Sequence, residues 1–285
     1  VPPQFALKFK CPQNVFSWRK IINLTPRGES IKQFNTERLR FAQEGALMKL
    51  RKVLAPAKGG STFLIILPTG CGKTRVLALA PFVLDARKVL VTAPSVEIFK
   101  QVHGDLGDMY GSRSAVGKVL DANVTMQKLG DLRTGRNETP DLVTTNIHKL
   151  VSKKDSDEEG QQLSEVGMQY LSSAKPDLVI VDEGHHNPAN SWDILRAGAL
   201  RWNPECKFVL LTATPRRSDG KTYGLKDVRE EGKEFFYLYT REEAIRRKEL
   251  KTVDYYRVEP TFTNATAPDR YEEEEYMWQM LNPAV

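Results

Sequence analysis

The sequence predicts a doubly wound α/β domain, a parallel sheet with helices on both faces. Three observations predict it. Five short runs are apolar on both sides, as strands must be when helices cover both faces of a sheet. Helix-like stretches separate these runs. Polar residues with chemical potential gather where the runs end, at the edge where such sheets bind ligands.

Taken in order, the strands are "TFLIIL" (62–67), "KVLVTA" (88–93), "DLVTT" (141–145), "DLVIVD" (177–182) and "KFVLLTA" (207–213). Helices are expected over 37–53, 73–84, 96–105 and 161–172, with Thr36 as N-cap of the first. Two stretches read as surface insertions: the turn-rich "LRTGRNETPD" (132–141) and the charged "SKKDSDEEGQQ" (152–162). No internal repeat is visible. "TFTNATAPDR" (261–270) reads as a linker, and Glu272 to Glu275 after it as a solvated helix face. The domain is expected over 37–250. A leader (1–36) precedes it, whose Phe16 and Trp18 are expected to pack, and a connector (251–285) follows.

The chain has 285 residues, enough to bury a real core, and 27% of them are charged. No apolar run is long enough to span a bilayer, and the opening residues lack the apolar centre of a secretory signal. A membrane or secreted protein is disfavoured, and an intracellular place, cytoplasm or nucleus, is expected. The chain opens on Val, which fits a processed chain or a segment. A net charge of +6 favours a polyanionic partner only modestly. Three cysteines without a C-x-x-C pair disfavour a zinc site and fit a reducing compartment.

The chemistry begins at "LPTGCGKT", between an expected strand and an expected helix. It matches the phosphate loop G-x-x-x-x-G-K-[ST] except that Leu67 replaces the first glycine. The other reading is a glycine turn joining strand to helix. As a phosphate loop, Thr69, Gly70, Cys71 and Gly72 would offer backbone N–H groups at a helix N-terminus. Lys73 would meet the β- and γ-phosphates, and the Thr74 hydroxyl would meet Mg²⁺. Cys71, beside Lys73, is expected to carry a lowered thiol pKa, unless it is simply a small residue at a tolerant position.

"LVIVDEGHH" is an apolar strand ending in two carboxylates, Asp182 and Glu183. Buried strands rarely end so without a cation or a catalytic task. Asp182 would hold Mg²⁺ and Glu183 would act as general base toward water. In "LLTATPRR", Thr212 and Thr214 can hydrogen-bond toward the turn from Asp182 to His185. His186 is expected to pack rather than bind metal.

These segments, in this order, resemble the first motor domain of a superfamily-two DExH helicase, so the resemblance implies a RecA-like sheet that binds ATP and Mg²⁺. "LPTGCGKT" resembles motif I, "DEGH" motif II and "TATP" motif III, with His185, Thr212 and Thr214 coupling nucleotide to nucleic acid. "LRFAQ" (39–43) is similar to the L-R-x-Y-Q adenine-reading segment, which makes Arg40 and Gln43 base contacts, though Ala42 departs from the usual aromatic. "TAPSVEIFKQ" and "VTTNIHKL" resemble segments facing the loaded strand. Pro94, Ser95, Thr144, Thr145 and Asn146 are then expected to touch DNA or RNA backbone without sequence preference. "LTATPRRSDG" and "YLYTREEAIRRKEL" resemble a narrower branch that includes type III restriction subunits and XPB-like helicases, where Lys248 replaces a frequent glycine.

Such motors carry a second RecA-like domain with a Q-x-x-G-R-x-x-R segment, and none follows Leu250. An arginine finger contributes about 10³–10⁵ in rate, so the isolated chain is expected to bind nucleotide weakly and hydrolyse it slowly. Two other readings stay open: a duplex translocase subunit of a restriction or defence complex, and a nucleic-acid sensor or scaffold switched by ATP binding. A transporter ATPase is disfavoured for lack of an L-S-G-G-Q segment.

Overall fold

A computed structural model of the chain describes residues 39–110, 124–132, 140–153, 161–184, 189–214, 229–230 and 233–251. The chain divides into two units, 1–250 and 251–285. Of the second unit only Lys251 is described, so the expected linker and acidic run lie outside the described residues, as does the leader.

The elements of the first unit are, in order, α1 (Phe41–Leu54), β1 (Thr62–Ile66), α2 (Lys73–Val83), β2 (Val89–Ala93), α3 (Val96–Tyr110), β3 (Met126–Lys128), β4 (Leu142–Asn146), β5 (Val151–Lys153), β6 (Gln161–Leu163), α4 (Glu165–Ala174), β7 (Leu178–Val181), α5 (Ala189–Trp202), β8 (Lys207–Thr212), β9 (Arg229–Glu230), β10 (Lys233–Glu234), β11 (Phe236–Leu238) and α6 (Arg241–Arg246). Among the described residues, one seven-stranded sheet runs in the order β11-β1-β8-β7-β2-β4-β3. All its pairings are parallel. β5 and β6 form a separate antiparallel pair, as do β9 and β10.

The strand order fixes where the helices lie. The chain steps one way across the sheet from β1 to β2 and β4, then back through β7 to β8. Right-handed crossovers in opposite directions put their helices on opposite faces. Accordingly α1, α2 and α3 pack in sequence on one face, while α4 packs on α5 on the other. β2 and β7 are buried at every residue, the pattern of strands covered twice. The core runs on into α1, which buries Ala42, Ala46, Leu47, Leu50 and Leu54 along one stripe. In α3, Val102, Leu106 and Tyr110 point inward at helical spacing, and the Tyr110 hydroxyl donates to the Ala78 carbonyl at 2.5 Å. That bond satisfies a polar group whose burial would otherwise be costly.

All five expected strands are in the sheet. The edge strands β3 and β11 were not anticipated, because each is too short to show a period. Three expected helix boundaries move. Residues 161–163 are strand rather than helix, and α4 starts only after Ser164, whose hydroxyl accepts the Gly167 N–H at 2.9 Å. Here the local cap overrode a helix-compatible sequence. α1 begins at Phe41 with Arg40 in the cap position, and the expected cap Thr36 lies outside the described residues. α3 continues to Tyr110, past the expected end at 105.

Candidate functional site

Leu67, the residue in place of the first glycine, is fully buried and its N–H donates to the Thr212 carbonyl at 3.0 Å. The strand simply runs one residue further along β8, so a side chain there is packed rather than in the way. The glycines that matter come next. Gly70 and Gly72 have φ of +88° and +78°, the left-handed region open to glycine at little cost. Gly72 is the N-cap of α2, and a Cβ there would lie 2.3 Å from Gln43 Nε2. Two left-handed glycines before a helix suit an anion nest, and in the loop as it stands the Cys71 N–H donates to the Pro68 carbonyl at 3.1 Å. Thr69 and Gly70 are exposed, while Lys73 and Thr74, the first residues of α2, are half-buried.

Gln43 and Arg40 meet the loop from behind. The buried Gln43 amide donates to the carbonyls of Cys71 (3.0 Å) and Gly72 (3.3 Å), and its oxygen accepts the Arg40 N–H at 3.1 Å. The Arg40 guanidinium donates to the Gly70 carbonyl. This segment therefore reaches the loop's backbone directly. Cys71 does not carry the lowered pKa expected of it. Its side chain is fully buried, and burial first, with Glu249 adding, pushes the thiol up against the opposing pull of Arg40 and Lys73. Desolvation outweighs the helix terminus.

On the far side of β8 stand the two carboxylates. Asp182 is only 6% exposed. Burial first and then Glu183 push its pKa up to about 6, with Lys73 and the Glu183 N–H pulling the other way. Glu183 has φ of +46°, a left-handed conformation costly for a residue with a Cβ. Its N–H donates to Asp182 Oδ1 at 3.0 Å, and its carboxylate pairs with Lys73 Nζ at 3.0 Å. Loop and acid pair thus meet across the point where the strand order reverses. Among the described residues no three His, Cys, Asp or Glu side chains cluster as a metal site. A divalent cation here would draw its remaining ligands from a hydroxyl, water and a bound phosphate, the habit of Mg²⁺. The donor set fits a nucleoside triphosphate with that ion.

Thr212 is buried, and its hydroxyl donates to the Thr214 carbonyl at 2.7 Å while accepting the Thr214 N–H at 3.2 Å. These bonds brace its own turn. His185 and His186 lie outside the described residues. Further along the same edge, Thr144, Thr145 and Asn146 pair in register with Val91, Thr92 and Ala93. All three are buried. Thr144 Oγ1 is 2.7 Å from His103 Nδ1, Thr145 donates to the Asn146 carbonyl, and Asn146 Oδ1 accepts the Lys149 N–H at 3.1 Å. Pro94 and Ser95 are half-buried where β2 ends, and Ser95 Oγ accepts the Ile98 N–H.

Sequence reading missed several neighbours. His148 and Lys149 are exposed on the turn after β4. Both residues were visible in the sequence, but their exposure was not. Behind the loop, Glu249 Oε1 accepts the Phe41 N–H at 2.7 Å, and Arg247 lies 3.4 Å from the Phe41 ring centre. The only trace in sequence was the position of Lys248.

The model of the family described as "Type III restriction enzyme, res subunit" matches residues 36–217, well over half of the chain. "Putative helicase 22" of the Sulfolobus islandicus filamentous virus is 28% identical over 198 residues. That match covers 68% of this chain and 31% of the viral protein, so the chain spans about a third of its relative. Similar solved structures include the UvsW helicase of bacteriophage T4, with 16% identity, 66% of this chain and 57% of that one covered, and a TM-score of 0.41. Another is the Hef helicase domain of Pyrococcus furiosus, with 15% identity, 76% and 37% covered, and a TM-score of 0.40. With its parallel α/β sheet and a family match over well more than half of its length, the chain belongs to the type III restriction enzyme res-subunit family.

Proposed function

We propose that the chain binds ATP with Mg²⁺ at the loop 67–74 and hydrolyses it in response to a nucleic acid, as the first of two motor domains of a DExH helicase or translocase. The observation that carries this reading is the Lys73–Glu183 pair at 3.0 Å, which joins the phosphate loop to the acid pair across one strand. Bound Mg²⁺ would neutralise charge developing on the phosphates. The N–H groups of Thr69 to Gly72 cradle phosphate, and Thr74 and Asp182 are the groups suited to the ion. Asp182, pushed up to about 6, gains from any cation that offsets its burial. Lys73 exchanges its ion pair for phosphate, which releases Glu183 to accept the proton of the attacking water as the γ-phosphorus–oxygen bond to the leaving diphosphate breaks. Arg40 and Gln43 set the base side of the site.

The nucleic acid lies along the same edge. Buried and internally bonded, Thr144, Thr145 and Asn146 serve to shape that edge, while Pro94, Ser95, His148 and Lys149 are placed to meet a sugar–phosphate backbone. Residues 1–36 act as a leader and 251–285 as a connector toward the second motor domain, which completes the site. Among the described residues no helix is long and apolar enough to cross a membrane. We place the protein inside the cell, where ATP is abundant.

The family match favours one second reading, a subunit that moves on duplex without separating strands. Steady-state ATPase rates with single-stranded DNA, duplex DNA and RNA, alongside Glu183→Gln, test the proposal. Stimulation by one polymer, lost in the variant, is expected. Stimulation by duplex alone with no strand displacement selects the second reading, and indifference to every polymer leaves only an ATP-switched scaffold.

A further inference from the structure

The chain leaves its first unit beside the phosphate loop. α6 ends in a tight turn. Arg247 N–H donates to the Glu243 carbonyl at 3.0 Å, Lys248 N–H to Ile245 at 2.9 Å, and Glu249 N–H to Ala244 at 2.8 Å. Lys248 sits at φ +59°, the left-handed position that reverses a chain at a helix C-terminus. The reversal throws three side chains back onto the nucleotide side. The Glu249 carboxylate takes the Phe41 N–H, the first amide of α1, at 2.7 Å. Arg247, tied to Glu243 at 2.5 Å, covers the Phe41 ring. Leu250 Cδ2 comes within 3.0 Å of where a Cβ on Gly70 would stand.

Gln43 Oε1 takes the Arg40 N–H at the cap position of α1, and Glu249 supplies the acceptor for the next amide, that of Phe41, with the negative charge that a helix N-terminus favours. The helix it anchors is the one whose Arg40 and Gln43 grip Gly70, Cys71 and Gly72. A path therefore runs from Glu249 to Phe41 and, through its neighbours Arg40 and Gln43, to the loop, and Leu250 packs beside Gly70 of that loop. Leu250 is also the last residue of the first unit.

Resting on the nucleotide site proposed above, we propose that Glu249 is a positioning residue for it. Its carboxylate holds α1, and through it the Arg40–Gln43 bridge, against the phosphate loop, so that loading the loop and ordering the chain at Leu250 are one coupled equilibrium. Coupling of this kind is reciprocal: a nucleotide that tightens the loop protects the exit, and loosening the exit weakens the nucleotide.

The test uses the full chain with Mg²⁺ and a fluorescent, non-hydrolysable ATP analogue, read by equilibrium binding and by hydrogen exchange. Glu249→Ala is expected to bind about tenfold more weakly. It should also lose the nucleotide-dependent protection of residues 41–43 and 249–251. Glu249→Gln, which keeps an acceptor, restores most of both. Leu250→Ala leaves Glu249 in place and loses the same protection, giving an independent answer if Glu249→Ala does not fold by circular dichroism. Lys73→Ala separates the two levels. If it binds the analogue like the parent, the nucleotide site itself is misplaced. If it abolishes binding while Glu249→Ala or Leu250→Ala keeps the parent's affinity and protection, the site stands and the coupling is overturned. A Glu249→Gln variant as weak as Glu249→Ala also overturns it.

Discussion

The ends of β1 and β7 and the ends of β2 and β4 share one edge of one sheet, yet they treat polar groups in opposite ways. At the first pair a carboxylate is buried at the cost of its charge, Glu183 sits in left-handed backbone, and two glycines turn the loop. At the second pair the polar residues are equally buried but bonded inward: Thr144 to His103, Thr145 and Asn146 to the backbone. Polar burial by itself therefore does not mark a working site. What sets the first pair apart is the combination of a buried carboxylate with left-handed backbone beside a two-glycine loop, and that combination makes it the candidate site.

The contrast is open to attack on both sides, and the largest effect is expected at the acid pair. Glu183→Gln should cut nucleic-acid-stimulated turnover by about 10²–10⁴ while nucleotide affinity holds. A fall of less than tenfold would remove Glu183 from the chemistry. Asp182→Asn should stabilise the chain at pH 7, without added divalent cation, by on the order of 2 kcal/mol. The sign follows from its folded pKa of about 6, above the ordinary carboxylate value. Between about pH 4 and 6 the folded state holds more protons than the unfolded, so this group makes stability fall as pH rises, and the variant loses that slope. Urea unfolding at several pH values measures it, and a destabilised variant would mean that the charge is better compensated than its burial implies.

At the other pair, Thr144→Val should cost about 1 kcal/mol in denaturant midpoint and leave nucleic-acid affinity unchanged. Lys149→Ala should do the reverse, with stability unchanged and the salt dependence of binding reduced by about one counterion. Equal losses of affinity in both would erase the distinction drawn between them. His103 adds a pH signature. Burial, then Lys128, lowers its pKa, so the unfolded chain takes up the proton first. Its contribution is whole above about pH 6.5 and is lost as the pH falls toward the folded value. The smallest effect is at Lys248, where glycine should stabilise by up to about 1 kcal/mol, read as a shift in thermal midpoint.

How far the sequence reached depended on the range of the force involved. The five central strands were legible because burial on both faces demands unbroken apolar runs. The candidate phosphate loop at 67–74 and the acid pair Asp182–Glu183 stood out as patterns because the residues concerned are adjacent in the chain. Leu67 looked like a defect in the motif although it closes the expected strand 62–67, and its N–H bond to Thr212 and full burial show that a packed side chain is accommodated there. Cys71 went wrong for a similar reason. A neighbouring Lys73 is visible in sequence, whereas the burial that dominates the thiol is not.

The sequence by itself determined the fold class and the order of strand, loop and helix around the proposed nucleotide site, and it named the candidate residues for phosphate and cation. These rest on periodicity and on contacts between near neighbours. The tertiary structure alone decided that Thr144 to Asn146 face inward, that Lys73 pairs with Glu183, and that Glu249 returns across 208 positions to hold Phe41. Each of these depends on which strands become neighbours and where a chain reversal points. Contacts so distant in the chain exist only once the sheet has closed its entropy cost with core burial.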